Sequence, residues 1–285
     1  MSTREPAPVR SDGKPIRIRR FGHGPVLVCV AGGPGRDADY LETLADLHRH
    51  RELVIPDQRG TGGSPPPDTN DGYTFDHLAQ DLEPVRLHLG LERLPLLAHS
   101  AGCTTALYYA ALHPHRIQTL LLVAPGRRLY PEISDDSEQI IRSRQHETPI
   151  PAALTALEGL NAAPAPEEIP RLLEALTPAF YGQWTSRQHH HAATETLQVN
   201  ATARQEFNRA TINEPALRTR LQQVEAPVLV ITGSKDGATG ISPGQAWADC
   251  FPHGQHLTIP GTGHYPWVDE PQQLRHTVLE FLATI

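Results

Sequence analysis

The sequence predicts an α/β fold, with a doubly wound, mostly parallel sheet and an inserted helical cap. Short, nearly continuous apolar runs recur along the chain, a pattern typical of strands that are covered on both faces. Helix-like stretches separate these runs, and strand–helix alternation builds a parallel sheet. The alternation stops between about Gly126 and Leu221 and resumes with a strand at Ala226, which predicts the cap.

The predicted strands follow from the apolar runs, taken in chain order. An early strand, IRIRRFG (16–22), precedes the others. The remaining runs are PVLVCVAG (25–32), ELVIPD (52–57), LPLLAH (94–99), IQTLLLVAP (117–125), APVLVITG (226–233) and QHLTIPG (255–261). The intervening patterns predict helices over residues 37–49, 75–90, 101–112 and 270–284.

The predicted cap is rich in Ala, Glu, Gln and Arg and contains no strand-like run. Prolines divide it into several helices, because proline ends or interrupts a helix. These prolines are Pro149, Pro151, Pro164, Pro166, Pro170 and Pro178. We therefore expect a core formed by residues 1–125 and 222–285, and a helical cap of residues 126–221 seated over the sheet.

The composition limits the class of protein. Of the 285 residues, 39% are hydrophobic and 20% are charged, which allows one large α/β domain with a sizeable core. A net charge of −7 argues against a nucleic-acid-binding protein, which needs a basic face to replace counterions. The three cysteines are far apart and indicate neither a disulfide framework nor a zinc site; Cys29 and Cys103 lie in apolar segments and are expected to be buried.

The apolar segments also bear on the location of the protein. The N-terminal segment MSTREPAPVRSDGKP is polar and lacks the apolar region of a signal peptide. The longest apolar runs, such as LLLVA (120–124), are too short to span a bilayer. We therefore expect a cytoplasmic protein without a membrane partner; the sequence leaves the oligomeric state open.

The segment LLAHSAG (96–102) places Ser100 between a predicted strand and a predicted helix. A serine on this sharp turn is typical of a hydrolase nucleophile, with small neighbours and the N–H groups of a helix N-terminus beside it. Ala98 replaces the first glycine of the usual Gly-x-Ser-x-Gly pattern, and His99 occupies a variable position. The alternative for Ser100 is an ordinary helix N-cap.

Two further residues supply the partners that a nucleophilic serine needs. Asp236 lies just beyond the end of a predicted strand, and His264 lies in a glycine-flanked loop after the last strand. A serine hydroxyl needs an adjacent base, and that imidazole needs an acceptor to fix its tautomer. The order Ser100, Asp236, His264 is that of one serine-hydrolase architecture. Asp269 is a poorer candidate for the acid, because it follows the histidine in the chain.

Three segments carry a resemblance to a known family. They are AGGPG (31–35), DQRGTGGS (57–64) and AHSAG (98–102). The chain resembles α/β-hydrolases with a cap, and most of all the prolyl iminopeptidase-related branch, which carries His-Gly-Gly-Pro-Gly and Asp-Gln-Arg-Gly-x-Gly-x-Ser before the serine turn. The resemblance implies an oxyanion hole formed by the backbone N–H groups of Gly33 and Ala101. It also implies that the loop at Asp57 braces the floor of the site.

The chain departs from that branch at two places. Ala31 stands where the family has histidine, a position that supports the loop. The predicted cap lacks the glutamate-bearing motifs that bind the free amine of an iminopeptidase substrate; Glu195, Glu206 and Glu214 are candidate acids, and nothing in the sequence singles one out. The segment YGQWTSRQHHH (181–191) either places aromatic groups over the pocket or packs the cap.

These observations predict a serine hydrolase that acts on a small-molecule or short peptide substrate. By the resemblance, the first expectation is a peptide or amide with a free amino end. An ester or lactone, including a specialised metabolite, is the alternative. A binding or non-hydrolytic biosynthetic role on the same scaffold also stays open.

Two sequence patterns could indicate a cofactor site or a metal site, but other features of the chain argue against both interpretations. Residues 33–38 fit Gly-x-Gly-x-x-Ala, and Asp57 ends the next strand, as in a dinucleotide-binding fingerprint. However, that reading leaves the serine, aspartate and histidine unexplained, and a strand precedes the glycine strand. Consecutive side chains on a helix point about 100° apart, so the run HHH (189–191) does not converge on one ion. We therefore expect neither a cofactor nor a metal.

Overall fold

The strands form one large sheet and one small hairpin. The structure is a computed structural model that describes residues 9–128, 132–211 and 214–284. Within these ranges the strands are β1 (Val9–Ser11), β2 (Lys14–Ile16), β3 (Ile18–Phe21), β4 (Val26–Val30), β5 (Glu52–Pro56), β6 (Leu94–His99), β7 (Ile117–Val123), β8 (Val228–Gly233) and β9 (Gly254–Ile259).

The large sheet has the order β3-β5-β4-β6-β7-β8-β9. The edge strand β3 runs antiparallel to β5, and every other neighbouring pair in this sheet is parallel. The prediction of a doubly wound, mostly parallel sheet is therefore confirmed. The small hairpin of β1 and β2 precedes the sheet and was not predicted.

Helices flank the sheet and fill the stretch between β7 and β8. In chain order they are α1 (Phe75–Gln80), α2 (Leu82–His88), α3 (Ala101–Leu112), α4 (Ser137–Ser143), α5 (Ile150–Asn161), α6 (Ile169–Leu176), α7 (Ser186–Ala193), α8 (Glu195–Gln198), α9 (Ala201–Arg209), α10 (Glu214–Leu221), α11 (Ser242–Ala248), α12 (Pro266–Asp269) and α13 (Pro271–Ala283). Of these, α11 and α12 were not predicted. The described residues between β7 and β8 contain helices α4 to α10 and no strand.

The helix predicted over residues 37–49 is wrong. The chain instead forms short 3-10 turns at Ala38–Leu41 and Leu47–Arg49, with positive φ at Leu44 and the next two residues. The main-chain carbonyl of Tyr40 accepts hydrogen bonds from side chains distant in sequence, so it is not available to a helical ladder. Tertiary contacts therefore override the helix propensity of this segment.

Apolar residues cover both faces of the sheet. Val28 and Leu96 belong to one buried cluster, whereas their chain neighbours Cys29 and Leu97 belong to another. Alternate residues of one strand point to opposite faces, so the two clusters lie on the two sides of the sheet. Cys29 and Cys103 are buried, as expected. No helix within the described ranges is both long enough and apolar enough to cross a bilayer.

Candidate active site

Ser100 lies on a sharp turn between β6 and α3. Its backbone angles are φ 53° and ψ −120°, a region that L-residues rarely adopt, and its hydroxyl makes no capping bond to α3. The turn needs small neighbours: a Cβ on Gly102 would lie 2.5 Å from the carbonyl oxygen of Ala31. Ala98 is fully buried, so its methyl group fits where the usual pattern has glycine.

The structure brings Asp236 and His264 to Ser100. Nε2 of His264 lies 2.9 Å from Oγ of Ser100, and Nδ1 lies 2.9 Å from Oδ2 of Asp236. The loops that carry these residues follow β8 and β9, which are neighbours in the sheet. Because a carboxylate only accepts, Nδ1–H donates to Asp236 and Nε2 is left to accept the Ser100 proton.

The Asp236 carboxylate is buried and fully engaged. Oδ1 accepts the backbone N–H groups of Ala238 and Thr239 at 2.8 and 3.0 Å, and Oδ2 accepts the Thr239 hydroxyl at 2.7 Å. Burial raises the pKa of Asp236, but the His264 imidazole and these hydrogen bonds lower it by more. The pKa therefore lies below its ordinary value, and the carboxylate stays charged at neutral pH.

The structure describes both backbone N–H groups that the resemblance assigns to an oxyanion hole. Ala101 is the first residue of α3, and Gly33 has φ +68° in the segment 32–37, which we call the glycine loop. Neither N–H donates to an acceptor in the part of the chain that the structure describes. The N–H of Gly32, in contrast, donates to the hydroxyl of Tyr40 at 2.7 Å.

His99 joins the glycine loop to the segment 260–265, which carries His264 and which we call the histidine loop. Sequence reasoning missed this role. The Tyr40 hydroxyl donates to Nδ1 of His99 at 2.8 Å, and Nε2–H of His99 donates to the carbonyl oxygen of His264 at 2.9 Å. Burial, followed by the nearby His264, lowers the pKa of His99 well below its ordinary value, so the ring is neutral. The available signal was a histidine at the end of an otherwise apolar strand.

The segment 181–191 packs the cap helices onto the histidine loop. The ring of Tyr181 stacks on that of Tyr265, with centroids 4.9 Å apart, and its hydroxyl contacts Nδ1 of His191 at 2.8 Å. His191 in turn donates from Nε2 to the carbonyl oxygen of Tyr40 at 2.9 Å. Of the two roles considered for this segment, these contacts favour packing.

Helices α8 and α9 hold the glycine loop from outside. Arg204 on α9 donates to the carbonyl oxygens of Gly33 and Pro34, both at 3.3 Å. The buried Arg36 side chain lies over the Tyr40 ring and donates to the Gln198 side chain. The loop is therefore positioned by residues more than 150 positions away in the chain.

The dinucleotide fingerprint does not have its expected surroundings. A Cβ on Gly35 would lie 2.7 Å from the carbonyl oxygen of Asn200, so the cap occupies the space beside this glycine. No α-helix follows Gly35 within the described residues up to Glu52, as the fingerprint requires. Asp57 is buried and accepts the N–H of Gly63 at 2.7 Å, which agrees with a bracing role for its loop.

A cavity of about 230 Å³ opens at Ser100. Its lining includes Pro34, Ala101 and Phe207 and the two arginines Arg127 and Arg128. No carboxylate belongs to this lining in the residues that the structure describes.

Two of the three acids considered for amine binding lie outside the described lining of this cavity. Glu195 pairs with Arg204 at 2.7 Å, and Glu206 pairs with Arg209 at 3.1 Å. The side chain of Glu214 falls outside the described residues. Neither Glu195 nor Glu206 therefore lines the cavity at Ser100.

Comparisons with known proteins agree with this architecture. A family model described as the alpha/beta hydrolase fold matches residues 25–271. The chain is 29% identical over 307 residues to 1-acylglycerol-3-phosphate O-acyltransferase ABHD5 of Homo sapiens, covering 98% of this chain and 84% of that protein. It is 34% identical over 128 residues to proline iminopeptidase of Saccharolobus solfataricus, 41% of each chain. The crystal structure of proline iminopeptidase from Mycobacterium smegmatis has a TM-score of 0.75 at 23% identity and covers 97% of both chains.

Proposed function

The chain belongs to the alpha/beta hydrolase fold family, and on that premise we propose that it is a serine hydrolase with Ser100 as its nucleophile. The observation that carries the proposal is the hydrogen-bonded series from Ser100 through His264 to Asp236, with both contacts at 2.9 Å. A buried, charged aspartate behind the imidazole is the arrangement that acyl transfer by serine requires.

The reaction runs through an acyl-enzyme. Oγ of Ser100 attacks the substrate carbonyl while Nε2 of His264 takes the hydroxyl proton, and Asp236 stabilises the imidazolium that forms. His264 then gives that proton to the leaving group, which departs and leaves an ester on Ser100. A water molecule attacks this ester, with His264 again as the base, and the acid product leaves.

The oxyanion hole uses the two free backbone donors. The N–H groups of Gly33 and Ala101 bind the oxygen that becomes negative in each tetrahedral intermediate. Fixed donors of this kind stabilise a transition state by about 3–4 kcal/mol each, because they need no reorganisation during the reaction.

Among acyl substrates, an ester or lactone agrees best with the lining of the cavity. A substrate with a free amino end needs a carboxylate near Ser100, and the described lining offers arginines instead. The peptide or amide expectation remains the second candidate, because of the sequence similarity to proline iminopeptidases.

Transfer to an acceptor other than water is a variant of the same chemistry. The human relative, whose alignment covers 98% of this chain, is named as an O-acyltransferase. An alcohol that attacks the acyl-Ser100 ester in place of water gives a new ester instead of an acid. Product analysis with and without added glycerol separates the two outcomes.

Labelling with a fluorophosphonate probe tests the nucleophile. We expect the wild type to be labelled on Ser100, as located by peptide mass spectrometry, and Ser100→Ala to remain unlabelled. Ser143→Ala, which changes an exposed serine on α4, is the matched control and should label like the wild type. A label on another residue, or labelling of Ser100→Ala, contradicts the proposal.

A substrate panel then separates the two candidates. We expect turnover of short p-nitrophenyl esters and little turnover of prolyl or other aminoacyl anilides. Faster turnover of the anilides reverses the order of the candidates, and turnover of neither class favours a non-hydrolytic role.

A further inference from the structure

The charge around Ser100 is opposite in sign to that of the whole chain. The protein has a net charge of −7, yet Arg127 and Arg128 line the cavity at Ser100 and no described carboxylate does. Low-dielectric walls focus the field of such charges on a ligand inside a cleft. The cavity is therefore a local positive site on an acidic protein.

Arg128 is held in place without a counter-ion among the described side chains. Its Nη2 donates to the carbonyl oxygens of Asn208 and Ala210, the latter at 3.0 Å, and its guanidinium lies over the Phe207 ring at 5.6 Å. No carboxylate of the described side chains lies within 4 Å of it. Its neighbour Arg127 contacts Asp135 at 3.2 Å.

One donor of Arg128 is unsatisfied. Its Nε is buried and has no hydrogen-bond partner in the residues that the structure describes. A buried charged donor without an acceptor is unfavourable, and an anionic ligand beside the guanidinium offsets part of that cost. Burial also lowers the pKa of Arg128, and a bound anion opposes that shift.

We propose that Arg128 is a specificity-determining residue that binds an anionic group of the substrate, a carboxylate or a phosphate, beside the acyl group attacked by Ser100. A guanidinium matches the planar fork of a carboxylate or the oxygens of a phosphate better than it matches any neutral group. The inference rests on the proposed serine hydrolase, because it concerns the substrate of the same site. It also disfavours a free ammonium group, which the Arg128 guanidinium repels.

Three p-nitrophenyl esters that differ in acyl charge test the proposal. They are the glutarate half-ester (anionic), the valerate (neutral) and the 4-trimethylammoniobutyrate (cationic), each corrected for its spontaneous hydrolysis. We expect kcat/KM for the anionic ester to exceed that for the neutral one by about tenfold or more, and the cationic ester to be the slowest. Added salt should reduce the differences in kcat/KM among the three esters, because it screens the charges.

Variants of Arg128 assign the preference to this residue. Arg128→Gln should reduce the anionic-to-neutral ratio by about tenfold, and Arg128→Lys should restore part of it, because lysine keeps the charge without the fork. Arg209→Gln, an exposed arginine on α9, is the control and should keep the ratio of the wild type. The inhibition constants of glutarate and of inorganic phosphate, each measured as a competitor of the anionic ester, show which anion is preferred.

The outcomes separate this inference from the proposed function. A neutral or cationic preference in the wild type, or an unchanged ratio in Arg128→Gln, overturns the anion site while the neutral ester is still hydrolysed. If no ester is turned over and no fluorophosphonate label appears on Ser100, the proposed function and the anion site both fail.

Discussion

The two halves of the proposed machinery are held by different parts of the molecule. Ser100, Asp236 and His264 follow β6, β8 and β9, so the sheet itself sets their positions. The glycine loop, which offers the N–H of Gly33, is held through Arg36 and Arg204 by helices α8 and α9. The strand ends therefore place the proton-transfer half, with the Phe180 carbonyl of the inserted segment accepting the His264 N–H, whereas contacts from the inserted helices place the Gly33 donor of the oxyanion half.

This difference couples the inserted helices to the chemistry. Arg204 on α9 is hydrogen-bonded to the carbonyl oxygens of Gly33 and Pro34, each at 3.3 Å. A change in the position of α9 is therefore expected to change the position of the glycine loop. The same helix supplies Phe207 to the cavity at Ser100. Part of the cavity lining and a contact of the glycine loop thus come from one element, α9, whereas the loops of Asp236 and His264 contact the inserted segment elsewhere, at Ala179 and Phe180.

The largest expected effect falls on the half that the sheet carries. Asp236→Asn should lower kcat/KM for a neutral ester by about 10⁴-fold, because an amide at this position favours the wrong tautomer of His264. Steady-state kinetics measure the loss, and circular dichroism checks the fold. Asp249→Asn, an exposed aspartate after α11, is the control. A loss below about tenfold contradicts the role given to Asp236.

The contact between the two halves should give the next largest effect. Tyr40→Phe removes the hydroxyl that accepts the Gly32 N–H and donates to His99. Both groups are then buried without partners, so we expect the free energy of unfolding to fall by about 1–3 kcal/mol. A misplaced glycine loop should lower kcat by about tenfold, less than the loss of a whole oxyanion donor.

Denaturant unfolding and ester kinetics measure the two parts of that prediction. Tyr108→Phe, at a half-buried tyrosine of α3 that packs on Phe75, is the control. Loss of stability without loss of kcat in Tyr40→Phe would show that Tyr40 supports only the fold.

The same division explains what the sequence predicted. Ser100, Asp236 and His264 could be proposed from the sequence because each lies in a local signal, either a small-residue turn or a loop after an apolar strand. The strands and the mostly parallel character of the sheet were predictable for the same reason, since each buried strand is marked by its own apolar composition. Gly33 and Ala101 came from the resemblance to a family.

The contacts of the glycine loop were out of reach, because they join distant parts of the chain. Arg204 lies 171 positions from Gly33, and no local pattern marks it as a partner of that loop. The helix prediction for residues 37–49 was wrong for the same reason. The carbonyl oxygen of Tyr40 accepts hydrogen bonds from His191 and Trp267, which are far away in the sequence. Glu195 and Glu206 stood as candidates for amine binding because the sequence does not show that each of them pairs with an arginine.

A smaller effect is expected on the half held by the inserted helices. Arg204→Ala removes the donor to the Gly33 and Pro34 carbonyls, and it should lower kcat by about threefold to tenfold, a fraction of the cost of losing an oxyanion donor. Arg209→Ala, on the same helix but exposed and paired with Glu206, should leave kcat unchanged. Equal losses in the two variants would mean that α9 acts only through its general stability.

The smallest effect on the reaction rate is expected at His191, where the packing between the two halves instead makes stability depend on pH. Burial lowers the pKa of His191 from 6.5 to about 4, so the ring is neutral in the folded protein and becomes protonated first in the unfolded one. Between about pH 6.5 and pH 4 the unfolded state therefore binds more protons, and this residue makes stability fall as the pH falls, by at most about 1.4 kcal/mol per pH unit.

His191→Gln isolates that contribution. The variant keeps an amide donor for the Tyr40 carbonyl but does not titrate. Below pH 6.5 its stability should therefore fall less steeply with falling pH than that of the wild type, and above pH 6.5 the two stabilities should change with the same slope. Urea unfolding at several pH values measures the two slopes. Asp269, whose pKa is raised by burial, contributes a slope of opposite sign to both proteins, and it cancels in the difference. Identical slopes in the two proteins would mean that His191 is not kept neutral by its burial between the inserted helices and Tyr40.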